Sequence, residues 1–91
     1  MADVRVRKID ALAEFRARLI KFNRELAEDF GSMERRWRDL HDIWDDDMYD
    51  RFGTALAEVT PGIKRYLAAT EKHEAYLRSL IARLRAVTDV R

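Results

Sequence analysis

The stretch that decides the fold is Trp44-Asp45-Asp46-Asp47-Met48-Tyr49-Asp50-Arg51-Phe52, at the midpoint of the chain. It begins with a tryptophan, continues with an acidic turn and ends with a phenylalanine eight residues after the tryptophan. The segments on either side are long and amphipathic, and they carry almost every other apolar residue. This arrangement predicts the corner of a helical hairpin, a fold that we expect to bind protein rather than to perform chemistry.

The composition predicts one small helical domain over residues 1–91, with residues 1–7 flexible. Gly and Pro are scarce, with three and one copies, while helix-forming residues are abundant. The chain has no cysteine, which excludes disulfides and thiolate metal sites. A lone two-helix hairpin buries little surface, so we expect a partner, often a second copy of the chain.

The net charge of +1 hides a pattern along the chain. Residues 1–24 hold seven basic and three acidic side chains, and residues 59–91 hold the same numbers. Residues 25–58 hold four basic and eleven acidic ones. A hairpin with its bend near residue 45 therefore has an acidic bend and a basic opposite end. Two such rods attract each other when they lie antiparallel, although the alternative is a solvated charged surface with no effect on pairing.

The first half of the chain predicts a continuous or gently kinked helix from about residue 8 to 43. An apolar residue recurs every seven positions at Leu12, Leu19, Leu26, Met33 and Leu40. A second column consists of Phe15, Phe22, Phe30, Trp37 and Trp44. It has the same spacing except for one extra residue between Phe22 and Phe30. This shift in phase falls beside Gly31, where the alternatives are a kink or a break with Ser32 as the cap of a new helix, and a continuous or gently kinked helix is favoured.

The second half predicts a helix from about residue 46 to 88. An unbroken 3-4 alternation runs through Tyr49, Phe52, Leu56, Val59, Ile63, Tyr66, Thr70, His73, Leu77, Leu80, Leu84 and Val87. Pro61 lies within it and predicts a kink rather than a reversal, with Thr60 as a candidate cap. His73 is interpreted as a polar residue in the seam that helps to set register, or alternatively as a pH-sensitive contact.

Both stripes are predicted to form the core of the hairpin and the interface of a dimeric four-helix bundle. Trp44 is expected to pack near Met48 and Phe52, at the bend. Further in, Trp37 and Leu40 are expected to pack near two residues of the second helix, Leu56 and Val59. The alternative is that three aromatic residues are exposed and contact a partner: Trp37, Trp44 and Tyr49. Three flanking residues are candidates for a second contact face, Ile20, Leu67 and Ile81.

The acidic cluster Asp45, Asp46 and Asp47 is predicted to cap the second helix, because carboxylates accept its unpaired N–H groups and suit its positive end. Metal binding is the sharper alternative, since His41 and Asp45 are four residues apart, but the spacing is not that of a calcium loop. No nucleophile, phosphate-loop or metalloprotease motif is present. We therefore predict no enzymatic activity, cofactor or functional metal.

With these motifs in place, the chain resembles the WXG100 family, the small ESAT-6-like helical hairpins of type VII secretion. Trp44 matches the tryptophan of the family's turn and Phe52 matches its phenylalanine, and helical periodicity matches over about residues 8–88. Asp46 stands at the turn glycine and Met48 at the small-residue position. The family's C-terminal Tyr-x-x-x-Asp/Glu signal is absent here, although in that family a heterodimer partner can supply it.

The resemblance implies a homodimer or heterodimer with another small helical protein, acting as a secretion-associated substrate or as a carrier for a larger effector. The alternative is an intracellular scaffold or adaptor unconnected with secretion. A remote alternative is nucleic-acid binding through the basic end, at Arg5, Arg7, Lys8, Arg83, Arg85 and Arg91. We expect a cytoplasmic protein without membrane insertion, or one secreted without a cleaved signal peptide.

Overall fold

A computed structural model describes residues 2–89 of the chain, with side chains from residue 4 to residue 88. Helix α1 spans Ala2–Asp39, a 3₁₀ turn spans Leu40–Asp42, and helix α2 spans Asp47–Asp89. The two helices pack against each other as an antiparallel hairpin that measures 68 × 18 × 15 Å. The predicted all-α helical hairpin is thus confirmed.

Helix α1 begins at Ala2, earlier in the chain than the predicted start at about residue 8. Val6 and Ile9 line a cleft with Arg85 and Thr88 of the other helix. Ile9 is buried. Because these contacts lie in its first turns, α1 gains tertiary support close to its start.

The helices continue through both residues at which we expected kinks. Gly31 lies inside α1 and Pro61 inside α2. Thr60 caps no new helix, because its hydroxyl donates to the Leu56 carbonyl 2.8 Å away. Pro61 has no N–H group to donate to the Ala57 carbonyl. Because Pro61 and Ala57 are both exposed, water can reach this carbonyl.

The contact with α2 does not follow the phase shift of the apolar pattern in α1, because it uses a column of residues without a shift. This inner column recurs every seven positions at Ile9, Arg16, Asn23, Phe30 and Trp37, all of them buried or half-buried. Two of its members, Arg16 and Asn23, are polar, so apolar periodicity alone does not reveal it. Phe15 and Phe22, which the apolar pattern predicted to share a column with Phe30 and Trp37, are exposed instead.

The 3-4 alternation of α2 forms two columns of residues, and the columns differ in their exposure to solvent. The inner column is buried or half-buried and consists of Tyr49, Leu56, Ile63, Thr70, Leu77 and Leu84. The outer column is mostly exposed and consists of Phe52, Val59, Tyr66, His73, Leu80 and Val87. The inner column therefore holds the hairpin together more than the outer column does.

The hairpin leaves a large surface in contact with solvent. Its accessible area is 7399 Å², whereas a compact protein of 10.8 kDa is expected to expose about 5,500 Å². Its radius of gyration is 20.3 Å, against about 12 Å for a globular chain of this length. Among the described side chains, the buried hydrophobic residues are only Ile9, Tyr49 and Ile81.

Candidate interaction surface and bend

Asp46 organises the bend by accepting two hydrogen bonds on one carboxylate oxygen. The backbone N–H of Tyr49 donates to its Oδ1 over 3.1 Å, which is the geometry of an N-cap at the start of α2. The indole Nε1 of Trp44 donates to the same oxygen over 2.8 Å. On the other side of the bend, the Trp44 backbone N–H donates to the Leu40 carbonyl over 2.8 Å. Asp46 thereby fixes both the helix start and the tryptophan before it.

Tyr49, the first member of the predicted stripe of α2, is the centre of an aromatic cluster beside the bend. It is 5% exposed, so the alternative in which it forms an exposed partner contact is wrong. Trp37 stacks on it with ring centroids 4.6 Å apart, and Trp44 meets it edge-on at 5.4 Å. His41 also contacts it edge-on. Met48 and Phe52, the expected neighbours of Trp44, are exposed.

The surroundings of Tyr49 also affect its ionisation. Burial raises the pKa of the Tyr49 phenol above its ordinary value, and the nearby charges of Asp50 and Asp45 raise it further. The positive charge of Arg38 opposes this shift in the pKa. The neutral form of the phenol is therefore favoured in the folded hairpin.

The close approach of the two helices near the bend depends on Gly53. A Cβ atom built there would lie 2.7 Å from Cη2 of Trp37, which is too close for any real contact. The bend itself needs no glycine, because no non-glycine residue between 2 and 89 has a positive φ. Asp46 thus stands where the WXG100 pattern has glycine without adopting a left-handed backbone conformation.

Midway along the hairpin, the seam contains a layer of hydrogen-bonded polar side chains. The buried amide of Asn23 donates to Glu74 Oε2 over 2.8 Å and accepts from the Tyr66 hydroxyl over 2.9 Å. One heptad earlier, Arg16 Nε donates to the Glu74 carbonyl over 2.9 Å. These bonds satisfy a buried amide and tie Tyr66, a residue of the outer column, to the seam.

One broad side of the hairpin carries most of the exposed apolar residues, and we call it the apolar face. Its members are Phe15, Leu19, Phe22, Leu26 and Met33 of α1, and Phe52, Val59, Tyr66, His73, Tyr76, Leu80 and Val87 of α2. Residues from both helices line an open groove of about 510 Å³ on this side, among them Phe15, Leu19, Tyr66 and Tyr76. Heptad spacing then places the remaining members of the apolar face along the same side.

The opposite broad side is charged. One groove there is lined by Arg16, Arg78 and Arg85, and another by Arg24, Glu71 and Glu74. Of the three residues that we predicted to form a second contact face, Ile81 is buried, whereas Ile20 and Leu67 are half-buried and line the second of these grooves. At the basic end, Arg5, Lys8 and Arg83 are exposed. Arg91 lies outside the described residues.

The predicted core or interface residues fall into two groups according to their exposure. The half-buried group is Leu12, Leu19, Leu26, Phe30, Trp37, Leu56, Ile63, Leu77, Leu80 and Leu84. The exposed group is Phe15, Phe22, Met33, Leu40, Val59, Tyr66 and His73. Sequence reasoning missed Ile9, Asn23 and Gly53, and the heptad spacing of Ile9 and Asn23 with Trp37 is the signal that could have found the first two.

His41 and Asp45 are the two residues that the metal-binding alternative would use. His41 Nε2 and Asp45 Oδ1 are 3.8 Å apart, and both side chains are exposed. Within the described part of the chain, no three His, Cys, Asp or Glu side chains are grouped so that they could hold a metal ion.

Neither described helix is long and apolar enough to cross a membrane. No known protein family, curated protein or solved structure matches this chain.

Proposed function

We propose that this chain is a non-enzymatic protein-interaction module, which uses its apolar face to pair with a second helical hairpin. Pairing would build a four-helix bundle, as either a homodimer or a heterodimer. The observation that carries the proposal is the apolar face, where Phe15, Phe22, Val59 and Tyr76 are each more than half exposed. Contiguous exposed apolar surface of this kind marks an interaction site.

The exposed area supports a permanent rather than a transient contact. The hairpin exposes 7399 Å², about 1,900 Å² more than a compact protein of its mass. A standard interface buries about 800 Å² per partner, whereas obligate interfaces bury more and are more apolar. Covering the apolar face with another hairpin would remove a large part of the excess.

The experiment that tests this proposal places one glutamate on each broad side of α1. Phe22 is 55% exposed on the apolar face, and Ala17, five positions earlier, is exposed about 140° away around the helix. Phe22→Glu is expected to abolish pairing, while the matched control Ala17→Glu leaves it intact. Sedimentation velocity measures the pairing, and circular dichroism confirms that both variants remain helical. Equal effects of the two variants would contradict the use of this face.

The proposal extends to the biological role that the resemblance to WXG100 proteins implies. The hairpin architecture and the Trp44 side chain at its bend support a type VII secretion-associated substrate, or a helical carrier or adaptor for a larger effector. The alternative role is an intracellular scaffold with no link to secretion. A secretion assay with a machinery-deficient control separates the two, because only the first role predicts export that depends on that machinery.

A further inference from the structure

A groove on the charged side of the hairpin, opposite the apolar face, brings together three arginines from the two helices. Arg16 belongs to α1, whereas Arg78 and Arg85 belong to α2 and lie seven positions apart on one side of that helix. The other lining residues are small or apolar: Ala13, Ile81 and Ala82. No acidic side chain is therefore among the described residues that line this arginine groove.

Arg16 is held in place by a bond that leaves its charge unbalanced. Its side chain is half-buried, and its Nε donates to the backbone carbonyl of Glu74 over 2.9 Å. The Glu74 carboxylate accepts instead from the Asn23 amide, in the adjoining groove. Because the bond to Glu74 uses only Nε, the two Nη groups of a fixed guanidinium remain to donate to an anion.

The two arginines of α2 complete the positive lining of the groove. Arg78 is exposed and forms no hydrogen bond or ion pair with any described residue. Arg85 has an ion pair with Asp10 of α1 at 3.5 Å, in which both side chains are more than half exposed. An exposed pair at this distance is weak, so a more highly charged anion can replace Asp10 at little cost.

We propose that the arginine groove is a binding site for a diphosphate group, either as inorganic diphosphate or as part of a nucleotide. Arginine forks bind phosphate oxygens in pairs and keep their positive charge at every physiological pH. One phosphate group carries about −1.5 to −2 charge at pH 7, so two linked groups balance three guanidinium groups better than one does. A carboxylate carries a single charge and balances only one of the three.

The size and position of the groove agree with a small anion. Its volume is about 270 Å³, below the roughly 300–1,000 Å³ of pockets that enclose drug-sized ligands. Ala13 and Ala82 project only a methyl group each, which leaves room for the anion between the arginines. Because the groove lies on the side away from the apolar face, this site does not depend on the proposed function.

Isothermal titration calorimetry of the full chain with inorganic diphosphate, in metal-free buffer of low ionic strength, tests the site. The test variant is Arg78→Gln, because its loss breaks no bond between described residues. The matched control is Arg83→Gln, since Arg83 is exposed about 140° away around the same helix and its loss changes the net charge equally. We expect one saturable site per chain, weakened at least about tenfold by Arg78→Gln and less than about twofold by the control.

Each further outcome supports or overturns the site. Heat that does not saturate, or equal weakening by the two variants, overturns it, because the attraction would then come from the basic end as a whole. Tighter binding of adenosine diphosphate than of inorganic diphosphate supports a nucleotide ligand, and equal binding supports diphosphate itself. Orthophosphate that binds more tightly than either overturns the diphosphate assignment. A single-stranded oligonucleotide that binds more tightly than diphosphate, and equally to both variants, overturns the site in favour of nucleic-acid binding.

Discussion

The indole ring of Trp37 lies directly over Gly53 of the opposite helix, where a Cβ atom would stand 2.7 Å from its Cη2 atom. Trp37 cannot move aside easily, because it is stacked on Tyr49 and its Nε1 donates to the Tyr49 carbonyl over 3.3 Å. The small residue that this hairpin requires near its bend is therefore in α2, facing Trp37, and not in the turn itself.

Replacing Gly53 with alanine is expected to destabilise the hairpin by about 1–3 kcal/mol, because overpacking against Trp37 outweighs the helix propensity gained. The matched control is Gly62→Ala, where the nearest atom to the new Cβ is the flexible Arg65 guanidinium at 3.9 Å. That change is expected to stabilise the hairpin by about 0.5–1 kcal/mol. Urea unfolding measures both, and a stabilising Gly53→Ala would contradict the packing described here.

Asp46→Ala is expected to cost about 1–2 kcal/mol, because it removes the N-cap of α2 and the acceptor of the Trp44 indole. Asp47→Ala serves as the control one residue later. Asp47 forms only an exposed ion pair with Arg51, at 2.7 Å, so its loss is expected to cost less than about 0.5 kcal/mol. Thermal unfolding compares the two variants, and equal costs would mean that Asp46 acts only through its charge.

The raised pKa of Tyr49 predicts a loss of stability in alkali. Because the folded-state pKa exceeds the unfolded-state one, this contribution to stability is complete below the unfolded-state value, near 10, and is lost as the pH rises through the folded-state value. Tyr49→Phe keeps the stacked ring and removes the ionisation. Melting temperatures above about pH 10 should fall more steeply in the wild type than in this variant, and parallel decreases would refute the assignment.

Tyr66→Phe is expected to destabilise the hairpin by about 1–3 kcal/mol, because it leaves the buried Asn23 Oδ1 atom without its donor. Tyr76→Phe makes the same chemical change on the same face, where the side chain is 59% exposed. That control should leave the free energy of unfolding within about 0.5 kcal/mol of the wild-type value. If both variants unfold alike, the polar layer contributes nothing measurable.

The helical hairpin was predictable because apolar spacing, acidic capping residues and scarce turn formers all indicate the same fold. The inner seam of α1 was not, because Arg16 and Asn23 occupy two of its positions and depend on Glu74, which lies more than fifty residues away in sequence. The early start of α1 was also missed, since it depends on contacts between the two ends of the chain. The groups around Tyr49 converge only after the bend has formed, so spacing alone could not reveal them.

The most direct test of the account is the solution mass of the wild-type chain over a concentration series, measured by light scattering at low and at high salt. We expect twice the monomer mass of 10.8 kDa at micromolar concentration, with dissociation favoured by salt because charge guides the antiparallel pairing. A dimer unaffected by salt would retain the apolar face as the interface and remove charge as its guide. A fully helical monomer at every concentration would contradict pairing with a second copy.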